Sequence, residues 1–230
     1  MKIIEQRHEI LSIPENPLIL VEQSGRTCYK SEDKIGCTEK FDEGSLCPDM
    51  ELDSHYEYCI NTKCYTHSSH KFVKMLRDRG HHAMLEFGEI TVKFITNRGV
   101  THELVRHRLF SFAMESTRYV RYDGKMEFIR PVWWEDSKET QQNVWLLSMK
   151  QAEDAYCILL QSGWRPEQAR EVLPNSLKTE IVVKGNFREW VHCLKLRTSK
   201  GAHPQIRNLM LPLLEELQEK VPIIFDNIGE

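Results

Sequence analysis

The spacing of hydrophobic residues predicts three strands in this chain. Loose alternation of apolar and polar residues over 2–13 is typical of a strand. Regular alternation over 89–96 predicts a second strand with one apolar face, and the β-branched run within 179–184 predicts a third. The apolar face of the second strand consists of Ile90, Val92 and Phe94.

Helical spacing covers much of the remaining chain. Gly80 and Gly163 suit helix ends, and Pro166 suits the first turn of a helix that stops before Pro174. The predicted helices span 19–29, 69–80, 100–112, 144–162, 166–173, 187–197 and 204–220. In the fourth of them one broad apolar face is formed by Leu147, Ala152, Ala155, Ile158 and Leu159. Strands and long helices together predict an α/β (or α+β) domain, a mixed sheet flanked by helices.

The segment 31–68 departs from both patterns. Serine, acidic residues, glycine, threonine and cysteine dominate it and apolar residues are sparse, which indicates a peripheral insertion at about 34–67 within a single domain that spans 1–230. A zinc site is an alternative here, although the spacings lack paired Cys-x-x-Cys knuckles. The candidate ligands are Cys37, Cys47, Cys59, Cys64, His55, His67 and His70.

Composition narrows the class of protein. The chain has 230 residues and a net charge of −3, so it lacks the basic excess typical of proteins that bind duplex nucleic acid. No apolar run approaches the roughly 20 residues that span a bilayer, and the first residues do not form a signal peptide. We therefore expect no membrane association and a cytoplasmic location, where the seven cysteines would be free thiols.

The most informative stretch is 106–119, which holds three arginines, a histidine and two serines. Arginine forks bind phosphate oxygens in bidentate fashion and serine hydroxyls fill the remaining acceptors, so the stretch suits an anion site. A solvated basic helix face and a strip for single-stranded nucleic acid are the alternatives, the latter because Tyr119 and Tyr122 alternate with cations.

This stretch resembles the RHR-x7-S signature of the flavin-dependent thymidylate synthases. The match consists of Arg106-His107-Arg108, seven residues and Ser116, and it continues to Tyr119. Three further blocks resemble the family in the same order. They are the segment 80–87 before the second strand, Ala-Arg-x-x-Leu-Pro at 169–174, and Asn-x-Arg with a later Leu-Arg at 186–197. The resemblance covers roughly 69–220 and, more loosely, 1–31.

The resemblance implies roles for particular residues. Positions that match FAD contacts are Ala83, Arg106, His107, Arg108, Met114, Asn186, Phe187, Arg188 and His192. Positions that match the dUMP site are Glu103, Leu104, Val105, Arg106, Met114, Glu115, Ser116, Thr117, Arg118, Arg170 and Arg197. Arg197 matches the arginine that activates the uracil ring. No metal ligand is implied.

Several positions depart from the usual family residues. Glu103 stands where many members have glutamine, and a carboxylate near a phosphate is repulsive unless it pairs with an arginine or binds a sugar hydroxyl. Met114 replaces glutamine or glutamate, so a contact there would involve the backbone. Ala83 lacks a common hydroxyl, and His192 replaces an asparagine with a mild change in hydrogen bonding.

Simpler interpretations exist for single residues. Arg188 could cap its own helix or pair with Glu189 or Glu180, and Arg197 could neutralise the C-terminus of its own helix. Ser116 has no partner base at a triad-like spacing, which argues against a nucleophile. Cys157 and Cys193 lie in helical patterns outside the arginine-rich blocks and are expected to be buried apolar residues, not attacking thiolates.

The activity that the resemblance implies is reductive methylation of dUMP to dTMP. Methylenetetrahydrofolate would supply the carbon, and FAD reduced by NADPH would supply the hydride. The implied assembly is a homotetramer with active sites between subunits. Two alternatives from other classes are a nucleic-acid-binding module that uses the arginine strip and a flavoprotein or nucleotide sensor without turnover.

Overall fold

A computed structural model describes residues 1–36, 68–122 and 126–228. The expectation of an insertion at about 34–67, and the cysteines and histidines between 37 and 67 considered for zinc, lie almost wholly outside these ranges. The single-domain organisation therefore stays a prediction.

Six strands and seven α-helices occur within the described residues. The strands are β1 (Lys2–Ile4), β2 (Arg7–Ser12), β3 (Glu89–Asn97), β4 (Ser111–Met114), β5 (Glu127–Ile129) and β6 (Lys178–Asn186). The helices are α1 (Pro17–Thr27), α2 (Ser68–Asp78), α3 (Arg98–Leu104), α4 (Glu139–Gln161), α5 (Pro166–Ala169), α6 (Phe187–Arg197) and α7 (Pro204–Lys220). Short 3-10 helices lie at Glu32–Lys34, His82–Glu86 and Arg170–Val172.

The strands form two sheets in the described part of the chain. The larger sheet has the order β2-β3-β6-β4, and each of its neighbouring pairs is antiparallel. The smaller sheet joins β1 and β5 in parallel. The expected α/β architecture is thus present, but the prediction of a mixed sheet is wrong for the described residues, because the parallel pair and the antiparallel pairs belong to separate sheets.

The main core lies between the larger sheet and helices α6 and α7. The alternating residues Ile90, Val92 and Phe94 of β3 are buried on its face, as the sequence predicts. Trp190 of α6 is fully buried against them, and its indole N–H donates to the Ile90 carbonyl oxygen at 3.1 Å. This bond satisfies the one polar atom of a large apolar side chain, so α6 is fixed on the sheet.

The prediction of one strand over 2–13 is wrong, because the segment is divided between the two sheets. Lys2–Ile4 pairs with β5, and Arg7–Ser12 pairs with β3. Gln6 lies at the division, where its side-chain amide donates to the Gln205 carbonyl oxygen at 2.8 Å and accepts from Thr96 at 3.1 Å. These bonds hold the chain where it passes from one sheet to the other.

The predicted helix over 100–112 is also partly wrong. Helix α3 ends at Leu104, and Ser111–Met114 forms the edge strand β4 beside β6. Phe110 explains the change of direction, since its ring lies directly over Gly185 of β6 and is buried there. The gain from burying this ring and pairing β4 outweighs helical spacing, which is a weak local preference.

Helix α4 begins at Glu139, before the predicted start at 144, and it buries a different face from the one predicted. Leu147 and Ile158, expected on the apolar face, are 59% and 60% exposed. The buried side chains are instead Met149, Glu153, Tyr156 and Leu160. Glu153 determines this orientation, since its carboxylate accepts from the Met126 backbone N–H at 2.9 Å.

The two described ends of the segment 37–67 meet. The Ser68 backbone N–H donates to the Gly36 carbonyl oxygen at 2.8 Å, and the Gly36 N–H donates to the Ser68 hydroxyl at 3.1 Å. The Ser68 hydroxyl in turn donates to the buried carboxylate of Glu22 at 2.8 Å. The segment therefore leaves and rejoins the domain at one fixed point.

Removing the segment should leave a folded and active protein. We would delete 37–67 and join Gly36 to Ser68 through a short Gly-Ser linker, because that junction already brings the ends within hydrogen-bonding distance. Turnover within about threefold of the parent and an unfolding free energy changed by less than about 1 kcal/mol are expected. Stoichiometric zinc in the parent, with unfolding on chelation, would contradict this prediction.

Candidate active site

Two asparagines begin the helices that carry the candidate residues. The side-chain oxygen of Asn97 accepts from the Val100 N–H at 2.8 Å at the start of α3. Asn186 accepts from the Glu189 N–H at 2.9 Å at the start of α6. Strands β3 and β6 thus pass directly into capped helices. Capping α6 is the local role of Asn186, one of the predicted cofactor residues.

Arg197 ends α6 and is held by groups from the end of α3. Its Nη1 donates to the Glu103 carboxylate at 2.8 Å, and its Nη2 donates to the Glu103 carbonyl oxygen at 3.1 Å. Its Nε donates to His107 Nε2 at 3.1 Å. The side chain is 20% exposed, so the guanidinium is oriented by three bonds yet still reachable from solvent. Arg197 therefore does more than neutralise its own helix.

His107 is buried between this arginine and an acid. Its Nδ1 lies 3.5 Å from the Glu189 carboxylate, and both side chains are less than a tenth exposed. Burial, the Arg197 guanidinium and His192 together lower the pKa of His107 to about 4. Because an arginine only donates, the imidazole is neutral at physiological pH and accepts through Nε2.

A second group contains the hydroxyls and arginines expected at a phosphate. Ser116 accepts from the Arg118 N–H at 3.3 Å, and the guanidinium of Arg118 stacks on Tyr119 at 5.4 Å. Arg170, from the segment after α5, donates to the Thr117 hydroxyl at 3.5 Å. The structure therefore brings the Ser116 segment and the Ala-Arg-x-x-Leu-Pro block together, although they are far apart in sequence.

A cavity of about 900 Å³ opens beside the start of α6. Its volume lies within the range of small-molecule sites. Cationic side chains from α2 and α6 face it, together with four carboxylates. The expected cofactor residues among its lining are Asn186, Arg188 and His192. The His192 ring lies 5.9 Å from the His107 ring, which connects the cavity to the Arg197 cluster.

Arg188 makes a different ion pair from those considered in the sequence. Its Nη1 donates to the Glu86 carboxylate at 2.6 Å, and both side chains are about half exposed. Its partner is thus Glu86 and not Glu189 or Glu180, the two partners that the sequence suggested. An exposed pair contributes little to stability, so Arg188 can exchange this partner for an anion in the cavity.

The remaining expected residues differ in exposure. The side chains of Leu104 and Phe187 are fully buried in the core, and Thr117 is 5% exposed, so a ligand would meet the first two through the backbone. Glu115 is held by the Tyr122 hydroxyl at 2.5 Å and by Lys178 at 3.3 Å. The exposed candidates are Ala83, Val105, Arg106, Arg108, Met114 and Arg118.

Two buried or partly buried groups were not anticipated from the sequence. Glu189 stands in the first turn of α6, where an acid usually serves the helix dipole, and that position hides its contact with His107. Lys178 and Tyr122 hold Glu115, and burial together with the hydrogen bond to Glu115 raises the pKa of Tyr122. No motif marks either group, since their partners come from distant segments.

The cysteines and metal-ligand types give no alternative chemistry in the described ranges. Cys193 is fully buried, and burial raises the pKa of its thiol to about 12, so it is not a thiolate at neutral pH. Cys157 is partly buried on α4. Within residues 1–36, 68–122 and 126–228, no group of three or more metal-ligating side chains is found. No helix in these ranges is long and apolar enough to cross a membrane.

Known proteins resemble this chain over most of its length. The model of the family described as thymidylate synthase complementing protein matches residues 9–223. A flavin-dependent thymidylate synthase of Corynebacterium diphtheriae is 31% identical over 224 residues, covering 90% of this chain and 77% of that protein. One from Geobacter sulfurreducens is 35% identical over 160 residues, covering 69% of this chain and 68% of that protein.

A solved structure has the same fold. The UMP/dUMP methylase PolB from Streptomyces cacaoi, bound with 5-Br dUMP, superposes with a TM-score of 0.73 at 21% identity. The superposition covers 98% of this chain and 96% of that one. Both β-sheets and the helices around them thus follow an arrangement already seen in a nucleotide-binding protein.

Proposed function

The chain belongs to the thymidylate synthase complementing protein family, the flavin-dependent thymidylate synthases, and we propose that it converts dUMP to dTMP through the residues described above. One observation carries this assignment to particular side chains. Arg197 is held between Glu103 and His107, and the His107 ring contacts the ring of His192, which lines the large cavity. A fixed cation therefore adjoins a space suited to a flavin.

The nucleotide phosphate would be bound by the group around Ser116. Two arginines, Arg118 and Arg170, and the Ser116 hydroxyl suit a dianion of about −2 charge, because guanidinium forks match phosphate oxygens. Lys178 and Tyr122 hold the neighbouring carboxylate of Glu115 away from that charge. The carboxylate of Glu103 is neutralised by Arg197, which removes its repulsion toward a bound phosphate.

Uracil C5 is a weak nucleophile, and the chain's own residues raise its reactivity. Negative charge that develops on N3 and the carbonyl oxygens of the ring is stabilised by a guanidinium beside them, which is the role assigned to Arg197. Arginine stays protonated and acts as an electrostatic clamp without carrying a proton. Three bonds from Glu103 and His107 fix its orientation before substrate arrives.

The cavity residues fit FAD, the cofactor of this family. Asn186, Arg188 and His192 line it, and the dipole at the N-terminus of α6 favours an anion such as a pyrophosphate. Exposed Arg106 and Arg108 would complete the anion contacts. Reduced FAD supplies the hydride that completes the methyl group.

The co-substrates, assembly and compartment belong to the same proposal. Methylenetetrahydrofolate supplies the carbon and NADPH the electrons, and both are metabolites of the cytoplasm, where we place the protein. We further propose a homotetramer with active sites between subunits. In its favour, the residues around Ser116 that would bind phosphate and the residues that line the cofactor cavity lie in separate parts of one chain. Arg106, Arg108 and Arg118 are exposed.

Purified protein should be yellow, bind FAD and form dTMP. The cations lining the cavity should give an FAD dissociation constant in the micromolar range or tighter, measured by calorimetry on folded protein. An assay with dUMP, methylenetetrahydrofolate and NADPH then separates three functions. Flavin binding without dTMP would leave a sensor, and salt-sensitive oligonucleotide binding by a colourless protein would leave a nucleic-acid module.

A further inference from the structure

Glu189 lies on the far side of His107 from the activating arginine. We propose that Glu189 is a positioning residue for Arg197 that acts by fixing the tautomer of His107. This inference rests on the proposed function of Arg197. The geometry is a continuous chain of contacts, Glu189 to His107 Nδ1 at 3.5 Å and Arg197 Nε to His107 Nε2 at 3.1 Å.

The position of the ring proton follows from the donor inventory. Arg197 has only N–H donors, so Nε2 of His107 must present a lone pair to it. A neutral imidazole with a lone pair on Nε2 carries its proton on Nδ1, and Nδ1 faces the Glu189 carboxylate. If the proton moved to Nε2, two N–H groups would point at one another and Arg197 would lose its anchor on that side.

Burial makes this carboxylate an effective selector. Glu189 is 6% exposed and His107 is also 6% exposed, so water does not compete strongly for either group. The other rings against His107 are Phe110 and His192, both at 5.9 Å. Burial raises the pKa of Glu189 and His192 opposes that rise. An ionised carboxylate only accepts and therefore selects the Nδ1–H form, whereas a protonated carboxyl also has an O–H to donate, so the selection belongs to ionised Glu189.

The far side of Arg197 is anchored separately. Glu103 receives two of its bonds, one to the carboxylate and one to the carbonyl oxygen. Loss of Glu189 should therefore loosen the guanidinium without releasing it, and a partial effect on turnover is expected. A purely structural role in the first turn of α6 would instead change stability and leave the tautomer of His107 unchanged.

The first test compares Glu189→Gln with Glu189→Leu. Glutamine keeps an oxygen that accepts from Nδ1–H, so its turnover should stay within about threefold of the parent, whereas leucine should lower kcat for dTMP formation about tenfold with KM for dUMP changed less. Glu189 also lines the cavity, and both variants remove the same carboxylate from it, so FAD affinity should differ by less than about threefold between the two variants. Equal losses in the two variants would overturn the proposal.

The matched control is the second glutamate–histidine pair of the fold. Glu216 of α7 contacts His8 Nε2 at 2.9 Å, outside the cavity and the Arg197 cluster. Glu216→Leu should leave turnover within about twofold of the parent. A tenfold loss in this control would mean that any such pair supports activity through stability alone, which would overturn the specific role of Glu189.

A spectroscopic test of the parent protein needs no turnover. Nitrogen NMR of protein labelled at histidine, assigned by the missing signal in His107→Gln, should show a protonated Nδ1 and an unprotonated Nε2 for His107 at neutral pH. An Nε2–H tautomer or a cationic ring in the parent would overturn the proposal. This result is independent of activity, so it stays readable if the protein makes no dTMP and the proposed function itself fails.

A double-mutant cycle separates action through His107 from a direct effect. In the His107→Gln background, adding Glu189→Leu should change kcat by less than about twofold, because the group through which it acts is already gone. A further tenfold loss in that background would show that Glu189 acts by another route.

Discussion

Replacing Arg197 with alanine should lower dTMP formation at least about a hundredfold while NADPH still reduces the bound flavin. The guanidinium is the one cation of the cluster formed with Glu103 and His107, and it is held in place by three hydrogen bonds. In a site that excludes water, one such charge donor to the uracil ring contributes about 3–4 kcal/mol to the transition state. Flavin reduction should therefore continue while methylation is lost. Stopped-flow flavin absorbance measures the reduction, and a dTMP assay at saturating dUMP measures the methylation.

The control for this variant is Arg207→Ala. Arg207 Nε donates to the Thr198 carbonyl oxygen at 2.9 Å, so it stabilises the same helix end without reaching Glu103 or His107. Its methylation rate should stay within about threefold of the parent. If Arg197→Ala methylates within a few-fold of the parent, Arg197 is not the activating group.

Replacing Gly185 with alanine should disturb the site through the face of the sheet on which α6 packs. A Cβ at this position would lie 2.1 Å from the Phe110 ring, so the ring must move. Phe110 packs on Trp190 at 4.6 Å and on His107 at 5.9 Å. We expect a loss of about 1–3 kcal/mol in the free energy of unfolding, measured by urea denaturation. FAD affinity should fall as well, because the turn that holds His107 shifts with the ring.

Two further variants make this prediction specific. Gly201→Ala introduces a methyl group where no atom lies within 4 Å, and its unfolding free energy should change by less than about 0.5 kcal/mol. Phe110→Leu in the Gly185→Ala background should restore part of the stability, since the smaller side chain leaves room for the new Cβ. A Gly185→Ala protein as stable as the parent, with unchanged FAD affinity, would refute the close approach of Phe110.

The sequence predicts those elements whose signals are local. Helix α7 runs from Pro204 to Lys220, as the proline at its start and the apolar spacing indicate. Strand β3 has the predicted alternation because one of its faces is buried throughout. The change from helix to strand after Leu104 was missed, because it depends on Gly185, 75 or more positions along the chain. The face of α4 was missed because a buried glutamate, Glu153, determines it.

The sequence predicts those parts of the candidate site that follow from the charge of a single residue. The sequence anticipates that Glu103 needs an arginine partner, and the structure supplies Arg197 at 2.8 Å. The contact of Arg170 with Thr117 joins two motif blocks that the sequence could only place in order. Glu189 could not be recognised in advance, since an acid in the first helical turn has an ordinary explanation and its contact with His107 is tertiary.

The hydrogen-bonded junction of Gly36 and Ser68 also has a consequence for protein engineering. Because hydrogen bonds already hold Gly36 and Ser68 together, a foreign domain with closely spaced termini can be inserted between them without separating the two positions. The closure entropy of a flexible insert grows only by about 0.6 kcal/mol for each doubling of its length. A fluorescent reporter or an affinity module inserted at this junction should therefore change the free energy of unfolding of the enzyme very little.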